Sequence, residues 1–474
     1  MAAPSNPAQR ISGVPHVAAL INGLEKLPGK ANLLWYLILG GLFLDAYSNA
    51  ALSAGLSPMV KELGLSATQV GLLTATAPAI AILFNPIGGW LAARIGRVKP
   101  LLLAKAIAVA GALLTAYADT FATVWSGRAL VGIAYGIDFA VAMAMLAEYT
   151  PTKLKGRLNL WQCVWYVATT GNLALTLVFF ELGVGTDIWR WSVGSAAVFA
   201  GALLVLQLLF LVESPAWLAS QGRLAEAAKC LHRIYGFNVE AGERAQEQAE
   251  QPSIGFRHTG VLFRKPYLPR TVLSTMISLT QSMQYFAIGW YLPVISLAIF
   301  GEQFEKATVG SMVFNAAGII GGAVSAYVGR RMGLRLSSAV GYAMAFVLLL
   351  TLGLGFGSLP AVLAFAVPFL FIFFHSAGPG ANGKSIAALS YRSDIRTLGT
   401  GITGMLGNFG SVIGLYIFPQ IKESLGLGPT IALLSAVPLL GLVTCLIIKW
   451  DPTRSGIDPD EEDIDFQAPA LAGR

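Results

Sequence analysis

The sequence predicts an all-α membrane protein with twelve transmembrane helices in two pseudo-symmetric six-helix bundles. Three observations carry that prediction. First, 55% of the 474 residues are apolar and only 12% are charged, about half the charged share of a soluble chain. So few charges cannot cover a soluble surface, whereas lipid-facing helices require such a composition. Second, apolar runs of about 20 residues, enough to cross a bilayer, recur twelve times, six on each side of a polar interval. Third, the basic, glycine-marked turn Gly88–Lys99 has an echo at Gly329–Arg335. Arg94 and Gly96 precede Arg331 and Gly333 by 237 positions (331 − 94), half the chain. A turn that recurs at half-length indicates a duplicated architecture.

In chain order, residues 1–32 form an N-terminal segment. Its stretch 17–30 is amphipathic and lysine-ended rather than a cleavable signal, so the first apolar run is expected to remain a membrane helix. The runs of the first bundle (33–212) fall at 33–55, 69–92, 101–117, 123–146, 158–182 and 189–212. A connecting segment, 213–270, follows. It contains a helix around Leu224–Tyr235, where Ala and Leu recur at helical spacing, and a polar stretch at 239–257 that reads as a flexible linker. The second bundle (271–449) has runs at 271–300, 307–328, 336–356, 360–390, 399–420 and 428–449. A tail, 450–474, carries the acidic run Asp458 to Asp465, expected to be solvated and disordered.

The charge pattern sets the orientation. Arg94, Arg97 and Lys99, then Lys153, Lys155 and Arg157, then Arg330, Arg331 and Arg335, then Arg392 and Arg396 all fall in alternate connections. The intervening connections carry only Lys61, Arg190, Lys306 and Lys422, mostly near acids. By the positive-inside rule, both termini are cytoplasmic and the protein is a multi-pass protein of the cytoplasmic (inner) membrane. The net charge of +7 therefore reflects topology and not a nucleic-acid partner. Cys163, Cys230 and Cys445 are too scattered for a disulfide or metal framework. No nucleophile–base pair, metal-ligand cluster or phosphate loop is present, so neither an enzyme nor a cofactor is expected.

Several motifs resemble those of the major facilitator superfamily, in particular its sugar-porter-like and metabolite:proton symporter groups. Gly89…Arg94-Ile95-Gly96-Arg97 resembles the signature between helices 2 and 3, and Gly127-Arg128…Gly132…Gly136 the helix 4 motif. Glu148-Tyr149-Thr150-Pro151…Lys155-Gly156-Arg157 resembles the loop after helix 4, and Glu213-Ser214-Pro215 with Trp217-Leu218 the segment after helix 6. The resemblance implies two six-helix bundles with substrate bound between them near the midplane, moved by alternating access. It also implies gate residues on the cytoplasmic side: Gly89, Arg94, Gly96, Glu148, Arg157, Glu213, Arg331 and Arg396. Three departures stand out. Ala93 replaces the family's usual acid in the loop signature. Ser48 stands where a second helix 1 acid is common. No acid lies between Lys384 and Arg392.

Ionisable groups inside the spans are the functional candidates, because burying one costs about 2.5–3.5 kcal/mol on insertion scales. Asp45 lies about twelve residues into the first run, near the midplane at ~1.5 Å per residue, with Ser48 and Asn49 beside it. Arg128 needs an anion, and Asp45 is its expected partner across the bundle. Asp138, about 15 Å further along the same helix, is a second protonatable site. Lys384 either snorkels to the interface or binds an anionic substrate, since Gly378-Pro379-Gly380 and Asn382-Gly383 break the helix before it. His375 either joins it or bonds within the core. Gln281, Gln284 and Tyr285 share one helix face; Gln162, Trp165 and Tyr166, with Trp161, occupy neighbouring faces of another. Amides and aromatics together suit a ring or a polyol, and the cations tilt the expectation toward an organic acid.

The sequence thus leads to a monomeric secondary transporter of a small polar organic metabolite, organic acid or sugar-like, by proton symport. An uncoupled facilitator or exporter, or a transporter-like sensor, is the alternative. Its expected partners are the solute, protons and the lipid bilayer.

Overall fold

The computed structural model describes residues 9–242, 256–289, 304–460 and 462. A short strand β1 (Gln9–Ile11) and helix α1 (Val14–Asn22) precede the membrane helices. The first half contains α2 (Gly29–Leu63), α3 (Ala67–Ile95), α4 (Val98–Ala116), α5 (Phe121–Tyr149), α6 (Leu160–Glu181) and α7 (Ile188–Phe210). The connector holds α8 (Pro215–Ser220), α9 (Leu224–Tyr235) and β2 (Val239–Ala241). The second half contains α10 (Tyr267–Ile288), α11 (Phe304–Met332) and α12 (Leu334–Leu354). It continues with the broken pair α13 (Ala361–Ala377) and α14 (Pro379–Ser390), then α15 (Arg396–Leu425) and a second broken pair, α16 (Leu427–Leu434) and α17 (Ala436–Ile447). The twelve-span fold follows, with each broken pair crossing as one span.

Ten of these spans are long and apolar enough to cross a membrane on composition alone. Their outer faces carry exposed Val198, Leu208, Leu209 and Val362, as lipid requires. The remaining two, α10 and α15, pack against each other. A Cβ at Gly410 would come within 2.1 Å of the Leu279 carbonyl oxygen, and one at Gly414 within 2.6 Å of that of Met283. Small residues thus let these two backbones touch.

The duplication is visible in the hydrogen bonding. At the first basic turn, Gly96 has φ +97° and Glu213 accepts from the backbone N–H groups of Arg97 (2.8 Å) and Val98 (3.3 Å). At the second, Gly333 has φ +85° and Asp451 accepts from the Arg335 N–H at 2.9 Å. A Cβ at either glycine would strike its acid, at 2.2 and 2.4 Å. Each half therefore ends with a carboxylate that returns to cap its third helix, a use of the helix N-terminus that favours an anion. Burial pushes the Glu213 carboxyl up despite these donors.

The halves meet along two glycine seams. On α3 and α15, a Cβ at Gly89 would lie 2.2 Å from the Thr397 carbonyl oxygen. On α6 and α11, one at Gly322 would lie 2.4 Å from the Cys163 nitrogen, and one at Gly318 2.4 Å from the Tyr166 ring.

Two sequence expectations change. Residues 239–241 are not part of a free linker; they pair in parallel with Gln9–Ile11, which ties the connector to the N-terminal segment. The described part of the acidic tail is folded onto the basic face. Asp460 meets Arg396 at 2.7 Å, Glu462 meets Arg270 at 2.5 Å and Asp458 lies 3.9 Å from Lys155. Its acids were read as solvated because the basic groups that receive them lie far away in sequence. Residues 290–300 of the seventh run lie outside the described residues.

Candidate functional site

A cavity of about 350 Å³ lies between the halves, lined by Tyr135 and Phe139 of α5 and Trp161, Gln162 and Trp165 of α6. From the other half come Gln281, Ser282, Tyr285 and Phe286 of α10, His375 of α13 and Lys384 of α14. The break at Gly378 and Pro379 sets α14 on its own axis and turns Lys384 inward. The lysine is only 7% exposed and does not snorkel. Its Nζ sits 4.7 Å from the centre of the Phe139 ring, a cation–π contact. Among the described residues no carboxylate lies within ion-pair reach of it.

Much of the remaining polar lining is already engaged within the protein. The Trp161 indole donates to the Ala381 carbonyl at 3.0 Å, and the Gln281 amide to Ser282 Oγ at 2.8 Å. Gln284 Nε2 and His375 Nδ1 are 2.8 Å apart, and the His375 ring stacks on Tyr285 with centroids 5.5 Å apart. His375 Nε2 and Gln162 Oε1 have no hydrogen-bond partner among the described residues. Trp165 donates to the Tyr285 hydroxyl at 3.2 Å. These two rings also line a second cavity, of about 320 Å³, with Asn49 and Ser53. This pair of rings, one from each half, thus borders both spaces.

Beside this cavity lies a group of buried charges that departs from the expected pairing. Arg128 does not meet Asp45; it donates to the Ser48 carbonyl and to Asn49 Oδ1, each at 3.4 Å. Asn49 in turn donates to the Asp45 carbonyl at 3.0 Å. The acid that finds a cation is Asp138, paired with Lys105 of α4, both side chains 1% exposed. Gly41 makes room for this pair, since a Cβ there would lie 2.9 Å from Lys105 Nζ. Asp45, one turn after Gly41, keeps Oδ2 without a hydrogen-bond partner among the described residues.

On the basic face the halves are sealed. Arg97, fully buried, pairs with Glu148 at 2.7 Å and donates to the Ser393 carbonyl across the seam at 2.8 Å. Arg396 approaches the same glutamate at 3.7 Å, and Gly89 closes on Thr397. Among the expected gate residues, Glu148, Arg396 and Gly89 therefore lie at the junction. The others are held within their own halves. Arg94 is exposed over the Trp90 ring, Arg331 lies over Tyr327, and Arg157 donates to Asn32 and stacks on Trp35. Gly96 and Glu213 form the capping turn described above. Ion pairs across the halves were expected of these residues because their loops face the same side; helix rotation sends their side chains elsewhere.

Four expected substrate residues, Ser48, Tyr166, Gln284 and Asn382, are not among those that line either cavity. Asn382 spends its amide on Leu334, Ser337 and Ser338 and accepts from Asn159 of the other half at 2.6 Å. Tyr166 packs against Gly318 at the seam. Sequence reasoning missed Arg97 as a junction residue, and also Lys105, Tyr135, Phe139 and Phe286. Lys105 carried a usable signal, a charge inside an apolar run. Tyr135 and Phe139 carried only their i, i+4 spacing on the helix of Arg128 and Asp138.

Two pseudo-symmetric helical bundles around a shared cavity define a multi-pass membrane transporter. The chain belongs to the sugar (and other) transporter family, which it matches over residues 42–449. Over 428 residues it is 26% identical to the inner membrane metabolite transport protein YgcS of Escherichia coli, covering 89% of this chain and 91% of that one. It is 26% identical over 454 residues to the glucose transporter GlcP of Staphylococcus epidermidis, covering 91% and 97%. Its fold is similar to that of the proton:xylose symporter XylE bound to 6-bromo-6-deoxy-D-glucose, with a TM-score of 0.76 and 15% identity over 89% of this chain and 96% of that one.

Proposed function

We propose that the protein is a proton-coupled symporter of a small organic acid in the inner membrane, with its basic face and both termini cytoplasmic. The observation that carries this reading is Lys384, an ammonium that has no carboxylate partner among the described residues and faces a cavity built by both halves. A solute held there touches both bundles, so a rocking motion that opens one side while closing the other carries it across. The sealed basic face then represents the state closed to the cytoplasm, with Glu148, Arg97 and Arg396 as the bonds that must part. Asp45 supplies the proton site, because among the described residues it has no ion-pair partner while Asp138 is engaged by Lys105. The names of two relatives, a glucose transporter and a D-xylose transporter, leave sugars as the competing substrate class.

Uptake into proteoliposomes tests the coupling. An inward proton gradient should drive accumulation of the solute, and a protonophore should reduce it to equilibration. Accumulation that ignores the protonophore would replace symport with facilitation and leave the substrate site untouched.

A further inference from the structure

The central cavity carries more chemical information than "organic acid". Counting Asp, Glu, Lys and Arg alone, five buried side chains lie in the membrane interior among the described residues: Asp45, Lys105, Arg128, Asp138 and Lys384. Three are cations and two are acids, so the empty site holds one surplus positive charge with Asp45 ionised. Lys384 is the cation that reaches the cavity, and an unpaired buried charge is a strong demand for a counter-ion. One monoanion satisfies it. Loading one monoanion together with one proton on Asp45 leaves the total unchanged. Loaded and empty carriers then present the same charge to the membrane when they reorient.

The remaining contacts specify the body of the ligand. Six aromatic side chains line the space: Tyr135, Phe139, Trp161, Trp165, Tyr285 and Phe286. Both indoles and the Gln281 amide donate to protein acceptors. Gln162 Oε1 and His375 Nε2 remain open. Aromatic faces outnumber the polar groups of this lining, so a ligand body rich in hydroxyl groups suits it less well than an apolar one. A flat apolar ring instead finds faces and edges to pack on.

We propose that the cavity binds a monocyclic aromatic monocarboxylate, with its carboxylate on Lys384 and its ring among Phe139, Trp161, Tyr285 and Phe286. This rests on reading the cavity as the site of the transported solute.

Purified full-length protein in nanodiscs tests it, with thermal unfolding and calorimetric binding as readouts. The probes are benzoate, cyclohexanecarboxylate, benzamide, D-glucose and D-xylose. Benzoate should raise the melting temperature, cyclohexanecarboxylate should raise it less, and benzamide and both sugars should leave it unchanged. Lys384→Gln should weaken benzoate binding at least about tenfold, equivalent to ~1.4 kcal/mol. It should not lower the melting temperature of the unliganded protein, because it removes an unpaired charge. If that variant does not fold, the benzoate–benzamide difference on the unaltered protein decides the matter. A shift with a sugar but none with benzoate, or equal binding of benzoate and benzamide, overturns the inference. Counterflow in proteoliposomes separates the two readings. Sugar flux without benzoate binding defeats the substrate class and leaves transport standing; Lys384-dependent benzoate binding without any flux does the reverse.

Discussion

The buried charges of the basic face and those of the membrane interior obey opposite rules. At the basic face, Arg97 meets Glu148 and two carbonyls, Arg396 meets Asp460 and Glu148, and Arg270 meets Glu462. In the interior, Lys105 has Asp138, but Arg128 and Lys384 have no carboxylate among the described residues. Unpaired buried charge costs free energy, so its retention in the interior points to something that arrives and leaves. The face is neutralised by the protein and closes; the interior, on the proposed function, receives its missing counter-ion from the cargo.

The largest effect expected from breaking this contrast lies at Asp45. Asp45→Asn should bring the gradient-driven accumulation ratio to about 1, since without a proton site the coupling free energy vanishes. Counterflow exchange, which needs no net proton movement, should persist. Uptake against a gradient by the asparagine variant would remove Asp45 from the coupling.

Next in size is the one paired interior cation. Lys105→Met leaves Asp138 alone in a dry site and should cost about 3–5 kcal/mol, read as a lower melting temperature in detergent. Adding Asp138→Asn should recover the greater part of that loss. No recovery would mean that the lysine stem, rather than its charge, holds the helices together.

The basic face should respond least. Asp460→Asn removes a charged acceptor from Arg396, a change of about 1.5–3 kcal/mol at a buried site, while Glu148 remains. Although burial acts to raise it, the Asp460 carboxyl is held below the ordinary carboxylate range by Arg396 and by the donors of Ser393. Its contribution is therefore complete at neutral pH and is lost only as the pH falls through that range to the depressed value. Hydrogen exchange in the tail should stay slow at neutral pH and quicken only under strong acid. Release at mildly acid pH would show that the tail is held by something other than this pair.

How far the sequence carried these conclusions differs between fold and site. Twelve apolar runs and alternating basic loops are properties of composition along the chain, so the span order could be read without coordinates. The repeat spacing of Gly96 and Gly333 also pointed to two equivalent turns, though not to the Glu213 and Asp451 carboxylates that close them. Charges in spans drew attention to Asp45, Asp138, Arg128 and Lys384. Partner choice was not legible, because each residue turns a helix by about 100° and the tilt of neighbouring helices decides which faces meet. That is why Arg128 was matched to Asp45 while the ion pair formed between Asp138 and Lys105. Tail contacts such as Asp460 with Arg396 were hidden for a different reason: they depend on where a polar segment returns after twelve crossings.

That returning tail gives the protein a built-in place for a reporter. Ile457, 41% exposed, immediately precedes the acids that bridge Lys155 of one half and Arg396 and Arg270 of the other. A fluorophore attached there, in a background without the three native thiols, would sense the parting of the halves in real time and need no labelled solute.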